Sequence, residues 1–180
     1  NLQAGRWGQF MFHANEDGTF TAGWDAVGEK RVHASGALKV GRWNHIAMVV
    51  NRGNFNLYVD GMGKGSVFGG SNYSGIGGFG TLNFWSGEAN GQDAVYDEIR
   101  IWNKSRSRYE IQQAMNTEFS GGLLPQGLMA YYKGDVMMID GKPYLHDCVG
   151  AHNAPIVNPD SKTYEEIKSD KPWNTEVKGT

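Results

Sequence analysis

Eight short runs of β-branched, aromatic and apolar residues, each cut off by turn residues, leave this chain little room for anything but antiparallel sheet. Alternation predicts strands over Gln9–Ala14, Thr19–Trp24, Lys30–His33, His45–Val50, Asn54–Val59, Thr81–Trp85, Ala94–Trp102 and Leu128–Lys133. Between the first two stands Asp17-Gly18, which supplies the positive φ of a tight hairpin, and Arg52-Gly53-Asn54 reads as a second turn. Helix is a minor component. Ser107 followed by Glu110 fits a capping box, and Ile111, Ala114 and Met115 give one short helix near 107–116 a single buried stripe. The expected fold is all-β: a two-sheet antiparallel β-sandwich, or jelly roll, consistent with 26 glycines and 12% aromatic residues.

At 180 residues the chain can bury one good core, and a second full domain would be a tight fit. A net charge of -2 offers a polyanion no attraction, which argues against nucleic acid as a partner. No apolar run approaches the roughly 20 residues of a membrane-spanning helix, and the first residues carry no export-signal pattern, so the chain reads as soluble with any such signal removed.

Four stretches carry a family resemblance. Trp43-Asn44-His45-Ile46-Ala47 and Leu57-Tyr58-Val59-Asp60-Gly61 are followed by Asp97-Glu98-Ile99-Arg100-Ile101-Trp102-Asn103 and then the Glu110-Ile111 helix. In that order they resemble the laminin-G-like branch of the concanavalin A-like lectin/glucanase superfamily, over roughly residues 9 to 154, with Tyr131, Asp147 and Gly150 in a strand and turn that often accompany the module. Relatives usually open with an apolar strand, and nothing before Gly8 matches it. Either the chain is the C-terminal part of a longer protein with other domains, or the segment 128–157 fills the vacant strand position. An open apolar sheet face costs about 25 cal/mol per Å², so a partner chain or the tail is expected to cover it. The expected domain is 1–157, with 158–180 a polar tail wrapping it through Trp173.

The carboxylates Asp93, Asp97 and Glu98 raise the question of glycoside hydrolysis, for which the fold is also known by resemblance. Two catalytic carboxylates on one strand must share a face, and a retaining pair sits ~5–5.5 Å apart. Asp97 and Glu98 are adjacent and face oppositely, and the resemblance implies a structural role for them, so no catalytic residue is assigned. Arg100 stands two residues from Glu98, close enough for a lateral ion pair. Gly75-Ile76-Gly77-Gly78-Phe79-Gly80 matches a dinucleotide fingerprint in letters only, because a strand rather than a helix follows; 61–80 reads as a pliable rim loop. Cys148 has no expected nucleophilic role, His45 reads as a partly buried structural imidazole, and the five histidines lack zinc spacing.

These residues and the resemblance together imply a non-catalytic recognition module of a secreted or surface bacterial protein, binding glycan or an extracellular protein through rim loops and the concave sheet. Trp85 and Tyr73 are the expected stacking surfaces, with Asn72, Glu88 and Asn90 as polar partners. Glu88, Asn90 and Asp93 supply the oxygen chemistry calcium takes, where the resemblance places an acidic ligand cluster. A divergent glycoside hydrolase and a structural spacer or docking domain are the alternatives.

Overall fold

A computed structural model describes residues 2–4, 10–14, 19–24, 30–69, 82–84, 96–120, 122–150 and 152–156. The chain divides into two compact units, one of residues 1–94 with 105–115 and one of 95–104 with 116–180.

In the first unit, strands β1 (Leu2–Ala4), β2 (Phe10–Ala14), β3 (Phe20–Trp24) and β4 (Lys30–Ala34) join a later strand in one five-stranded sheet. Strands β5 (Ile46–Asn51), β6 (Asn54–Val59) and β7 (Met62–Phe68) form a second, and β8 (Leu82–Phe84) completes the first in the order β4-β3-β2-β1-β8. Every pairing is antiparallel. Alternation explains how the sheets meet. Phe20 and Ala22 of β3, Val32 and Ala34 of β4, and Leu57 and Val59 of β6 all turn inward, each no more than 6% exposed. Ala37 is buried with them, and the partly buried Leu38, Ile46, Met48 and Val67 close the periphery. This is the sandwich core, and its apolar burial is the main stabilising term.

Two-residue turns set the registers. Arg52-Gly53 and Asp60-Gly61 have positive φ at both positions, the geometry that matches strand twist in hairpins. Asp60 does more than turn. Its Oδ1 accepts the His45 N–H at 2.9 Å, its carboxylate pairs with Arg42, and its own N–H donates to His45 O at 2.8 Å. Asn44 ties the approach to β5, accepting from Lys39 N–H and donating to Lys39 O and Arg42 O. The two hairpin motifs read from the sequence are thus one hydrogen-bonded corner.

Helix α1 (Arg108–Ala114) is capped as expected: Ser107 Oγ accepts the Glu110 N–H, and the Glu110 carboxylate accepts the Ser107 N–H. Its inner face buries Ile111 and sends Gln112 Nε2 to Gly61 O at 3.0 Å. A Cβ on Gly61, at φ +69, would lie 2.7 Å from Gln112 Cγ, whereas one on Gly36, at φ +60, would meet nothing within 4 Å. Gly36→Ala is therefore expected to cost only the backbone penalty of about 1 kcal/mol, and Gly61→Ala about 2–3 kcal/mol because the Gln112 and Met115 side chains of α1 must also give way. Equal shifts of the two urea midpoints would show that α1 does not press on the turn.

The second unit is a four-stranded sheet of β9 (Ile99–Trp102), β10 (Leu128–Ile139), β11 (Lys142–Asp147) and β12 (Ala154–Pro155), in the order β12-β11-β10-β9. A third two-residue turn, Asp140-Gly141, joins β10 to β11.

The structure corrects four expectations. Of the strand expected over Ala94–Trp102, the described part is strand only from Ile99, because Glu98 stands at φ +55 and breaks the extended backbone. The alternation of faces therefore does not extend back to Asp97 and Glu98. Residues 62–68, read within a rim loop, are strand β7; Gly65 is required there because a Cβ would fall 2.7 Å from Val32 Cγ1. A strand does lie before Gly8: β1 sits between β2 and β8, too short at three residues to show a period. The strand expected over Leu128–Lys133 runs on to Ile139 and pairs with β9 and β11. The G-x-G-x-x-G letters at 75–80 and the tail 158–180 lie outside the described residues.

Candidate functional site

The acidic motif Asp97-Glu98 is held by a closed set of local bonds. Glu98 takes its positive φ with its N–H bound to Asp97 Oδ1 at 2.8 Å. Its carboxylate then accepts the Tyr131 hydroxyl at 2.7 Å and pairs with the Arg100 guanidinium, the lateral pair expected from the sequence. Arg100 also donates to Thr117 O and lies 4.1 Å from the centroid of the Phe119 ring. The Tyr131 oxygen in turn accepts the Phe119 N–H at 3.1 Å. Burial, then the hydrogen bond to Glu98, pushes the Tyr131 phenol well above its usual range, so it remains a donor at any physiological pH. Glu98, Arg100 and Tyr131 thus clamp β9, β10 and the segment 117–119 together.

Asp147 is likewise used up. It is fully buried, its Oδ1 accepts N–H groups of Tyr131 and Val149, and its Oδ2 accepts that of His152. Gly150 N–H returns to Asp147 O with Gly150 at φ +99, which is the physical content of the D-x-x-G turn. Cys148 beside it is half-buried, and burial raises its thiol pKa, the wrong direction for a nucleophile.

Asn72, Tyr73, Trp85, Glu88, Asn90 and Asp93 lie outside the described residues. What the described residues bring together is a face. On β6, Phe55, Leu57 and Val59 are buried, so Asn54, Asn56 and Tyr58 stand on the opposite side of the sheet. Register adds Phe68 opposite Asn54, Ser66 opposite Asn56, and Gly63 opposite Tyr58. Phe68 is 54% exposed. A Cβ on Gly63 would lie 3.8 Å from Tyr58 Cε1, so the tyrosine ring lies against a strand position that has no side chain. Asn56 Nδ2 donates to Val49 O at 3.4 Å, which leaves its Oδ1 as an acceptor.

Amides and a hydroxyl between two aromatic rings can hydrogen-bond vicinal hydroxyls while stacking on an apolar ring face. None of these residues is a candidate on sequence alone, since the glycines of β7 read as loop. The signal was present in the strict alternation of Asn54-Phe55-Asn56-Leu57-Tyr58-Val59, with every second residue polar or aromatic.

Comparison with known proteins bears on the same unit. The family model Laminin_G_3, described as the Concanavalin A-like lectin/glucanases superfamily, matches residues 2–112. No curated protein sequence matches the chain. The crystal structure of a candidate carbohydrate binding protein from Bacteroides ovatus is similar in fold, at TM-score 0.56 and 19% identity, covering 86% of this chain and 46% of that one. This chain thus spans about half the length of that protein. An S-layer domain-containing protein from Clostridium thermocellum matches at TM-score 0.32 and 18% identity, covering 63% of this chain and 62% of that one.

Proposed function

Because the chain belongs to the concanavalin A-like lectin/glucanases superfamily, we propose that it is a non-catalytic carbohydrate-recognition module, carried by a secreted or surface-attached bacterial protein. The observation that carries this reading is the outward face of the β5-β6-β7 sheet, with Asn54, Asn56, Tyr58, Ser66 and Phe68 side by side on a rigid support. Two further observations support it. Glu98 and Asp147 are committed to hydrogen bonds that hold strands together, and a protein of similar fold is described as a candidate carbohydrate binder.

The residues expected from the sequence to form a rim are proposed as a further set of contacts. Tyr73 and Trp85 add stacking surfaces, Asn72, Glu88 and Asn90 add polar contacts, and the carboxylate and amide oxygens of Glu88, Asn90 and Asp93 suit calcium as a bridge to sugar hydroxyls. Glycan-array screening of the purified chain, with and without a calcium chelator, is the direct test. Tyr58→Ala with Phe68→Ala is expected to weaken any glycan hit by more than tenfold, about 1.4 kcal/mol or more, while moving the melting temperature only a few degrees. Trp85→Ala is the parallel test of the rim. Unaltered affinity in the Tyr58 and Phe68 variant would remove the sheet face from the site, and release of reducing sugar from any hit would make the protein an enzyme.

A further inference from the structure

The charge bordering the sheet face is one-sided among the described residues. Among the described residues of the first unit, acid is confined to Asp60 and Glu110, and each is already paired, with Arg42 and Arg106. Two cations border the face instead. Arg52 occupies the turn between Asn51 and Asn54, next to the Phe68 end, and is exposed. Lys64, also exposed, is the extra residue of the β7 bulge, between Gly63 opposite Tyr58 and Gly65 opposite Leu57. The four residue steps from Asn54 to Tyr58 span roughly 14 Å, the length of a short oligosaccharide lying along β6 with a cation at either end.

Building on the proposed carbohydrate function, we infer that this face selects glycans bearing anionic groups, uronate carboxylates or sulfate esters, over neutral ones. Asn54, Asn56 and Ser66 would hold hydroxyls common to both classes, so they set affinity without setting charge preference. Arg52 and Lys64 would meet the anionic substituents, Arg52 with a planar fork that suits a carboxylate or sulfate and Lys64 as a point charge. Both lie at the solvent edge, where salt screens their attraction over about 8 Å at physiological ionic strength. Preference for acidic sugars should therefore fade with salt while binding of the common scaffold persists.

The test pairs an array with one matched ligand. The 180-residue chain is screened against neutral, uronate-bearing and sulfated oligosaccharides, and then titrated calorimetrically with a tetragalacturonate and with its methyl ester, which has the same ring scaffold without the charge. Acidic glycans are expected to dominate the hits, with the free acid bound about tenfold more tightly than the ester in dilute buffer and the gap closing in strong salt. Arg52→Asn, a residue that tolerates the left-handed backbone there, combined with Lys64→Gln, is expected to abolish the preference and leave ester affinity unchanged. If neutral glycans bind as well as acidic ones, or if the double variant keeps the preference, the charge inference falls while carbohydrate recognition stands. If no glycan of any class binds, both fall together.

Discussion

Asp147→Ala is expected to be the most damaging single substitution in the second unit, lowering stability by about 3–5 kcal/mol. The side chain has no exposed surface, and its two oxygens accept three backbone N–H groups, from Tyr131, Val149 and His152. Removal orphans all three donors in a place where little water can replace the carboxylate, and each orphan costs about 1–3 kcal/mol. Asp147→Asn should cost roughly half as much. One amide oxygen can still serve Tyr131 and Val149, but the amide NH₂ would then confront the His152 N–H. Urea unfolding gives the magnitudes, and hydrogen exchange at the amides of Tyr131, Val149 and His152 gives the mechanism, since these should lose protection first. A loss below 1 kcal/mol for the alanine variant would mean that the turn finds other acceptors.

Most strands long enough to show a period of two were legible in the sequence, but the second half of β10 and the whole of β11 were not among those expected. β6 is read to the residue, and β2, β3, β4, β5 and β8 to within one at either end. β1 was hidden by its three-residue length, and β7 by glycines at 63 and 65. Those glycines look like loop flexibility in sequence, yet a Cβ at 65 would fall 2.7 Å from Val32 Cγ1, while one at 63 would make only an ordinary contact with the Tyr58 ring at 3.8 Å. The capping box of α1 and the Glu98–Arg100 pair were legible because both are local, set by spacings of three and two. Glu98's positive φ was not, since nothing in Asp97-Glu98-Ile99 signals that the carboxylate turns to meet Tyr131, 33 positions away. The face on β6 and β7 fell between these cases. Its β6 half is plain alternation, and its β7 half depends on recognising a strand that glycine disguises.

Glu98 separates a structural carboxylate from a catalytic one, and its variants should do so by more than any other pair. Glu98 is 14% exposed and Arg100 10%, so their contact is nearly water-free. Glu98→Ala removes the carboxylate from a buried guanidinium and the acceptor from the Tyr131 hydroxyl, a combined loss expected at about 3–5 kcal/mol. Thr117 O and the Phe119 ring still hold Arg100, which keeps the variant from the top of that range. Glu98→Gln preserves the shape and one acceptor for Tyr131 while discarding the charge, and about 2 kcal/mol is expected. Glycan affinity of the glutamine variant, measured well below its melting temperature, should equal that of the parent, because the clamp lies among β9, β10 and segment 117–119 and the proposed face lies on β6 and β7. A catalytic Glu98 demands the opposite pattern, with stability kept and turnover lost, as expected where a carboxyl group is held ready for proton transfer rather than bound to its neighbours. Denaturation and binding measured on the same two variants therefore decide between a carboxylate that holds strands together and one that breaks glycosidic bonds.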